Sequence, residues 1–362
     1  ARVSPSDAPN RIRRVLMGVT GLTIDGGIAS VARSVARALE EEVAAGRLER
    51  VDRVTLLDEV PPDPPARGQQ RLAHGSQPRF ALQLRWAIAR HRPDLVFFDL
   101  VGLARAMQLP LPLPRRRYAV FCHGDEFRKA AIGDVYDRAA RGAWRLVTNS
   151  HFTARMLRDK YTWAGDQVHA APLCIDAGRL EAWADLPEPP YERTAPTALV
   201  VGRMGSAERG KGHDQLLSAW PTVRERVPGA RLEIVGSGDD RARLEARAAE
   251  LGIAEAVDFR GRLSDDALVE AYRRAALFAM PSCQEGFGLV YAEAMWHGLP
   301  CLASTADAGG EVVRDGVTGR LVPSDDVPAT ADAIAALLAD PAARRAMGEA
   351  AAREARERFG YA

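Results

Sequence analysis

The chain has 362 residues, too many for one ordinary hydrophobic core and about right for two domains. Its 47% hydrophobic and 27% charged residues are those of a globular protein, and Lys+Arg 49 against Asp+Glu 48 argues against nucleic acid as the main partner. There is no run of about eighteen apolar residues, no signal-peptide core in ARVSPSDAPNRIRR, and no metal-ligand spacing among Cys122, Cys174, Cys283 and Cys301, so a membrane span, export, a zinc site and a disulfide framework are not expected and a reducing cytoplasm fits.

In chain order, RRVLMGV around Val15 is predicted as a buried first strand. GGIASVARSVARALEE then sets Ile28, Val31, Val35 and Leu39 at helical spacing after two glycines. VDRVTLL follows as strand, FALQLRWAIARH as helix, DLVFFDL, YAVFCHG and WRLVTNS as strands, and FTARMLRDKY as helix. Strands alternating with helices imply a mostly parallel sheet. Trp86, Trp144, Trp183 and Trp220 show no base-stacking arrangement and are assigned to core packing. Arg115, Arg116 and Arg117 follow the apolar, proline-rich LPLPLP. A solvated loop is the plainer reading there, and weak peripheral contact with acidic lipid at the inner membrane face is the alternative.

WADLPEPPYERTAP is rich in proline and poor in periodic apolar residues, so a linker is expected at residues 183–196, between domains 1–182 and 197–362. The second half begins again with TALVVGR as strand, HDQLLSAWPTVRERV as helix, RLEIVG as strand and DRARLEARAAELG as helix. It continues through AVDFRG, DALVEAYRRA, LFAMPS, GLVYAEAMWHG, PCLAS and GRLVP to two alanine-rich helices. The expected fold class is α/β, with two Rossmann-like doubly wound domains facing a central cleft and ligand-binding loops at the carboxyl ends of the strands.

The strongest chemical signal is SCQEGFGLVYAEAMWHGLPCLAS, where Glu285 precedes a helix and Glu293 lies inside it. Gly286 and Gly288 let the backbone come close to a ligand at the helix start, where unpaired N–H groups favour an anion such as a diphosphate. Eight residues of helix would span ~12 Å, placing Glu293 near a ribose and Glu285 near the sugar beyond the phosphates. VGRMGSAERGKG adds two cations, Arg203 and Lys211, just after the first strand of the second half; Lys211 is one of three lysines in the chain. Preorganised cations stabilise the charge that gathers on a departing diphosphate. Asn149 and Ser150 end a strand, either facing the site or capping the next helix. The Asp239–Asp240, Asp265–Asp266 and Asp325–Asp326 pairs read as helix starts or turns, and no D-x-D motif stands where a metal would bridge a diphosphate.

Through EGFGLVYAE, which matches an E-x7-E motif, the sequence resembles the family-4 retaining glycosyltransferases (glycosyl transferases group 1) of the GT-B fold. GGIASVARSVARAL, the HGDEF loop, NSHFTARMLRDKY, VGRM followed by RGKG, LEIVGSGDD and VDFRGRLSDDALVEAYRRA stand in that family's order. The resemblance implies that Arg203 and Lys211 bind the distal phosphate and that His123 contacts the donor sugar near the bond that breaks. It also implies that Glu285 positions the sugar, and that Gly26 and Gly27 approach the diphosphate or acceptor. Further donor contacts are implied at Gly236 and Gly238, at Phe259 and Arg260 where the backbone reads the base, and at Gly286, Phe287, Gly288, Leu289 and Glu293.

The implied reaction moves a hexose-type sugar with retention, without metal or cofactor, from a UDP- or GDP-linked donor to a saccharide, lipid-linked or small-molecule acceptor. Surface polysaccharide or glycoconjugate synthesis is the setting suggested by analogy. A nucleotide-sugar hydrolase or epimerase of the same fold, and a non-catalytic nucleotide-sugar-binding regulator, are the alternatives. A nicotinamide dehydrogenase would need G-x-G-x-x-G in register after the first strand, which GVTGLTIDGGIAS does not supply. The family usually continues beyond RERFGYA into a last helix that returns to the first domain, so the resemblance implies a shortened end here.

Overall fold

The computed structural model describes residues 12–24, 26–109, 116–129 and 131–361. The chain divides into two compact units, Ala1–Pro172 and Leu173–Ala362.

The first unit is a seven-stranded sheet made of β1 (Arg14–Val19), β2 (Arg50–Thr55), β3 (Gln70–Leu72), β4 (Leu95–Phe98), β5 (Arg117–Cys122), β6 (Arg145–Thr148) and β7 (Val168–Ala170). Their order is β3-β2-β1-β4-β5-β6-β7, and every pairing is parallel. Parallel strands are covered by helices on both faces, which is why Leu16, Met17, Val96, Phe98, Val120 and Cys122 form near-continuous buried apolar runs. β3 and β7 escape the sequence pattern, because three residues are too short to show a period of two.

The second unit repeats the plan with β8 (Thr197–Val201), β9 (Arg231–Val235), β10 (Val257–Gly261), β11 (Leu277–Ala279), β12 (Cys301–Ser304) and β13 (Gly319–Val322). The order is β10-β9-β8-β11-β12-β13, again all parallel. In each sheet the strand order reverses beside the unit's first strand, between β1 and β4 in one and between β8 and β11 in the other. Loops at the carboxyl ends of that strand pair diverge and leave a crevice where α/β folds bind ligands.

Two expectations meet a different arrangement. Residues 183–196 pack on the second unit, and the units part at Pro172 and Leu173. Trp183 is buried in the second core, and Arg193 donates to the carbonyls of Arg273, His297 and Gly298 at 3.1, 2.7 and 2.9 Å. Arginine-to-backbone bonds fix this stretch, and an apolar-periodicity reading does not register them. Trp86 is the second case: Trp183 and Trp220 are buried as expected and Trp144 is half-buried, but Trp86 is 41% exposed. Phe80, Leu84, Ala87 and Ile88 fill the inner face of its helix, Gln77–His91, and turn Trp86 outward. Most of the LPLPLP stretch and Arg115 lie outside the described residues; Arg117 opens β5 with its guanidinium 5.5 Å from the Trp144 ring.

Candidate functional site

The β8 and β11 loops of the second unit are joined directly. After β8 the chain carries Arg203, runs to the short turn Arg209–Lys211, and enters the His213–Arg226 helix through Gly212. Gly212 has φ 87°, and a Cβ there would come within 2.8 Å of the Pro281 carbonyl, so only glycine allows the two loops to approach this closely. The Gly210 carbonyl accepts from Cys283 N at 2.8 Å and from Ser282 Oγ at 2.9 Å. On this frame Lys211 Nζ and Glu285 Oε1 form an ion pair across the carboxyl ends of the adjacent strands β8 and β11. The two side chains are only 21% and 13% exposed.

The backbone N–H of Glu285 donates to Asp307 Oδ2 at 2.8 Å, and the other oxygen of Asp307 accepts from Gly309 N at 2.9 Å. Burial pushes the Asp307 carboxyl up to about 6 against the pull of these bonds. Arg203 is far more open, 76% exposed, with Glu208 at 2.6 Å. Arg209 instead pairs with Asp240, which also holds Arg243, so its charge belongs to a neighbouring network.

Gly288, at φ 86°, precedes the Leu289–Trp296 helix, and no side chain caps that helix start. Its first N–H groups are the kind that bind anions. Only four of the eight steps from Glu285 to Glu293 are in this helix, so the ~12 Å expected of a continuous helix does not apply. Phe287 is buried with its ring edge-on to Phe359 at 5.8 Å, and Leu289 packs against the same core, which leaves their backbone rather than their side chains to face a ligand.

Glu293 lies on the buried side of the helix, its Oε1 bonded by Arg179 at 2.7 Å and its Oε2 by the Tyr272 hydroxyl at 3.1 Å. Burial raises the Glu293 carboxyl and the Arg179 charge opposes this. A carboxylate has about four acceptor sites, so these two bonds orient Glu293 and still leave capacity for ligand hydroxyls.

Gly236 and Gly238 serve the joining of loops. A Cβ at Gly236 would stand 2.0 Å from the Gly202 carbonyl and one at Gly238 1.9 Å from that of Met204, so the loop after β9 can lie against the loop after β8 only with glycines there. Phe259 packs partly into the core, its carbonyl accepting from Arg241 at 2.9 Å, and Arg260 turns to Glu233 at 3.2 Å.

In the first unit, Gly26 and Gly27 open the Gly27–Ala44 helix in exposed positions with no side-chain cap, and a Cβ at either would meet nothing within 4 Å. The loop before them hangs on the buried Asp58, which accepts from Leu22 N and Thr23 N, each at 2.9 Å. His123 follows β5. Its Nε2 lies 2.8 Å from the Asp99 carbonyl, an acceptor only, so Nε2 carries the proton and Nδ1 the lone pair. Burial lowers the imidazole and keeps it neutral.

Both peptide groups of His123 are also held, its N–H by Glu126 at 2.7 Å and its carbonyl by Asn149 Nδ2 at 3.1 Å. Ser150 caps the His151–Lys160 helix through Thr153 N at 3.0 Å, so the two residues divide the roles open to them. Burial pushes Asp99 and Glu126 each up to about 7. Among the described residues, no group of three or more His, Cys, Asp or Glu side chains is gathered as metal ligands.

Sequence reading missed Asp307, Arg179, Tyr272, Asp99 and Glu126. All but Glu126 act through a partner distant in sequence, Arg179 and Glu293 being 114 positions apart. Only Glu126, three residues after His123 in HGDEF, carried a local signal.

The Glycosyl transferases group 1 family matches residues 187–354, and Glycosyltransferase Family 4 matches residues 25–179. A GDP-mannose-dependent alpha-(1-6)-phosphatidylinositol monomannoside mannosyltransferase of Mycolicibacterium smegmatis is 32% identical over 297 residues, 76% of this chain and 75% of that protein. A D-inositol 3-phosphate glycosyltransferase of Nocardia farcinica is 37% identical over 213 residues, 56% of this chain and 47% of that protein. Among solved structures, sucrose-phosphate synthase of Thermosynechococcus elongatus aligns with TM-score 0.75 at 24% identity over 97% of this chain and 95% of that one. Anabaena HepE in complex with UDP and glucose aligns with TM-score 0.71 at 16% identity over 96% of each chain.

Proposed function

This chain belongs to the group 1, family-4 glycosyltransferases of the GT-B fold, and on that premise we propose that it moves mannose from GDP-mannose, with retention and without a metal, onto an inositol-containing glycolipid. The observation that carries the reading is the Lys211–Glu285 ion pair at the point where the second sheet's strand order reverses. The donor and acceptor named here are those of the mannosyltransferase relatives.

In this mechanism the ammonium of Lys211 has three N–H donors, so it keeps Glu285 on one and offers the others to the distal phosphate. The open Arg203 swings from Glu208 onto the same phosphate. Two cations fixed where charge collects favour the transition state over the ground state, which is the work a divalent ion would otherwise do. Glu285, anchored through its backbone on Asp307, holds hydroxyls of the sugar. Glu293, oriented by Arg179 and Tyr272, accepts from the ribose hydroxyls. The bond from the anomeric carbon to the phosphate oxygen breaks, the acceptor oxygen bonds to that carbon on the same face, and the acceptor proton passes to the departing phosphate oxygen. A neutral His123, with a lone pair on Nδ1, accepts from a sugar hydroxyl and adds no positive charge beside the oxocarbenium-like carbon.

The test is a panel of GDP-mannose, UDP-glucose and ADP-glucose with a phosphatidylinositol-type acceptor, the products being read by NMR. An α-linked mannosyl product formed from GDP-mannose in the presence of EDTA is the expected result. Transfer with inversion, or from a different donor alone, would overturn the corresponding part of the proposal.

A further inference from the structure

The loop after β12 closes on the loop after β11 at Glu285 itself. Both peptide groups of Glu285 are taken: its N–H donates to Asp307 Oδ2 at 2.8 Å, and its carbonyl accepts from Ala308 N at 3.3 Å. The second oxygen of Asp307 accepts from Gly309 N at 2.9 Å. A Cβ at Gly309 would stand 3.1 Å from that oxygen and 3.2 Å from the Tyr291 hydroxyl, so the surroundings of the carboxylate are close-packed. Nearby, Ser304 Oγ donates to the Ser282 carbonyl and accepts from Ala306 N at 3.0 Å. Residues 282–285 are thereby held from two sides, by Gly210 of the β8 loop and by residues 304–308 of the β12 loop.

Asp307 is 4% exposed, and among the described residues no cation pairs with it. The charged and titratable groups around it are Glu285 from the β11 loop, Lys211 from the β8 loop, which is paired with Glu285, and Tyr291, which burial keeps un-ionised. Burial is the main reason that the Asp307 carboxyl titrates at about 6, with the Glu285 charge adding to it; the N–H groups of Glu285 and Gly309 and the Ser282 hydroxyl pull the other way. An ionised carboxylate accepts at both oxygens. Once protonated, one oxygen carries an O–H that faces a backbone N–H, and one of the two bonds is lost. Glu293 has separate partners in Arg179 and Tyr272, so the two glutamates do not share this anchor.

We propose that Asp307 is a positioning residue for the donor sugar: its ionised carboxylate sets the direction in which Glu285 meets the sugar hydroxyls, and protonating it frees the sugar while the nucleotide stays held. This role rests on the assignment of Glu285 to the transferred sugar. The sign follows from the chemistry, since the competent form is the ionised one. The sugar's contribution to binding is complete above the titration and is lost as pH falls through about 6.

The full chain is titrated by calorimetry at pH 5, 6 and 7.5 with whichever of GDP-mannose, UDP-glucose and ADP-glucose it binds most tightly, and with the matching free diphosphate. A different donor then changes the ligand and not the comparison. In wild type the ratio of donor to diphosphate affinity is expected to fall roughly tenfold from pH 7.5 to pH 5, the limit for one proton taken up a unit below its midpoint. Titration of Glu293 acts on both ligands and cancels in the ratio. Asp307→Asn keeps the shape and removes the proton, so its ratio should sit at the wild-type pH 5 value throughout. Its kcat should fall, its KM for donor rise and its acid limb disappear, with diphosphate affinity unchanged. Ser304→Ala loosens the same loop without touching the titrating group and should keep the limb. Wild type alone gives a second reading that does not depend on the variant's folding: at pH 6, donor binding should release about half a proton more than diphosphate binding, measured in buffers of different ionisation heat. Three results would overturn the role of Asp307: a wild-type ratio that does not change with pH, an acid limb at the wild-type midpoint in folded Asp307→Asn, or an equal loss of donor and diphosphate affinity in that variant. A Glu285→Gln variant with the wild-type ratio would instead overturn the assignment of Glu285 to the sugar.

Discussion

Lys211→Ala removes one partner of a mostly buried ion pair and leaves the Glu285 carboxylate, 13% exposed, facing a space that held its counter-charge. Orphaning a fully buried charge costs about 3–5 kcal/mol. Discounted for the residual exposure, about 2–3 kcal/mol is expected. For a unit of this size each kcal/mol moves the melting midpoint by about 2–4 °C, so the second unit should melt roughly 4–12 °C lower.

Glu285→Gln should cost less, because the ammonium it strands is more open to water. The double variant Lys211→Ala with Glu285→Gln removes both charges and should recover most of the lost stability, while all three variants lose transfer activity. Differential scanning calorimetry on the four proteins gives the coupling directly. A Lys211→Ala midpoint within about 1 °C of wild type, or a double variant as unstable as the sum of the singles, would refute the pair as a structural element of the site.

Asp99 and Glu126 both have carboxyls raised to about 7 by burial, far above the ordinary carboxylate range. A raised folded value means that proton binding favours the folded state. Their stabilising contribution is complete below the unfolded values and is lost as pH rises through about 7. The first unit should therefore melt higher at pH 5.5 than at pH 8, and Asp99→Asn should flatten that slope; melting scans across this window that rise with pH would contradict the assignment. For the two glutamates, Glu293→Gln should weaken both free GDP and intact donor, whereas Glu285→Gln should spare GDP affinity and lower kcat; calorimetry with turnover assays separates the cases. Saturating EDTA should leave donor turnover nearly unchanged, and a loss restored by magnesium or manganese would place a metal at the diphosphate.

The alternation of strands and helices was legible because parallel sheets buried on both faces write themselves as short apolar runs between glycine turns. What stayed hidden depends on tertiary partners. Phe287, between two glycines of a ligand-like loop, resembles a donor contact in sequence, and only its packing on Phe359 shows that its ring belongs to the core. Gly236 and Gly238 looked like a nucleotide turn, yet their missing side chains make room for the carbonyls of Gly202 and Met204. Trp86 looked like core because tryptophan usually is, and the inner face of its helix was already filled. The four chemical residues Arg203, Lys211, Glu285 and Glu293 were visible in sequence as rare or spaced charges. Their orientation was not, because Asp307, Tyr272 and Arg179 reach them from other parts of the chain.

The central claim is that Arg203 and Lys211 hold the donor diphosphate at the carboxyl ends of β8 and β11. Titration of GDP into wild type, Arg203→Ala and Lys211→Ala by calorimetry at low and high salt tests it most directly. Saturable binding to wild type is predicted, weakened by salt and reduced roughly tenfold or more in each variant, as expected when a charge-assisted phosphate contact is lost. GDP affinity unchanged in both variants would contradict the claim and place the diphosphate elsewhere on the chain.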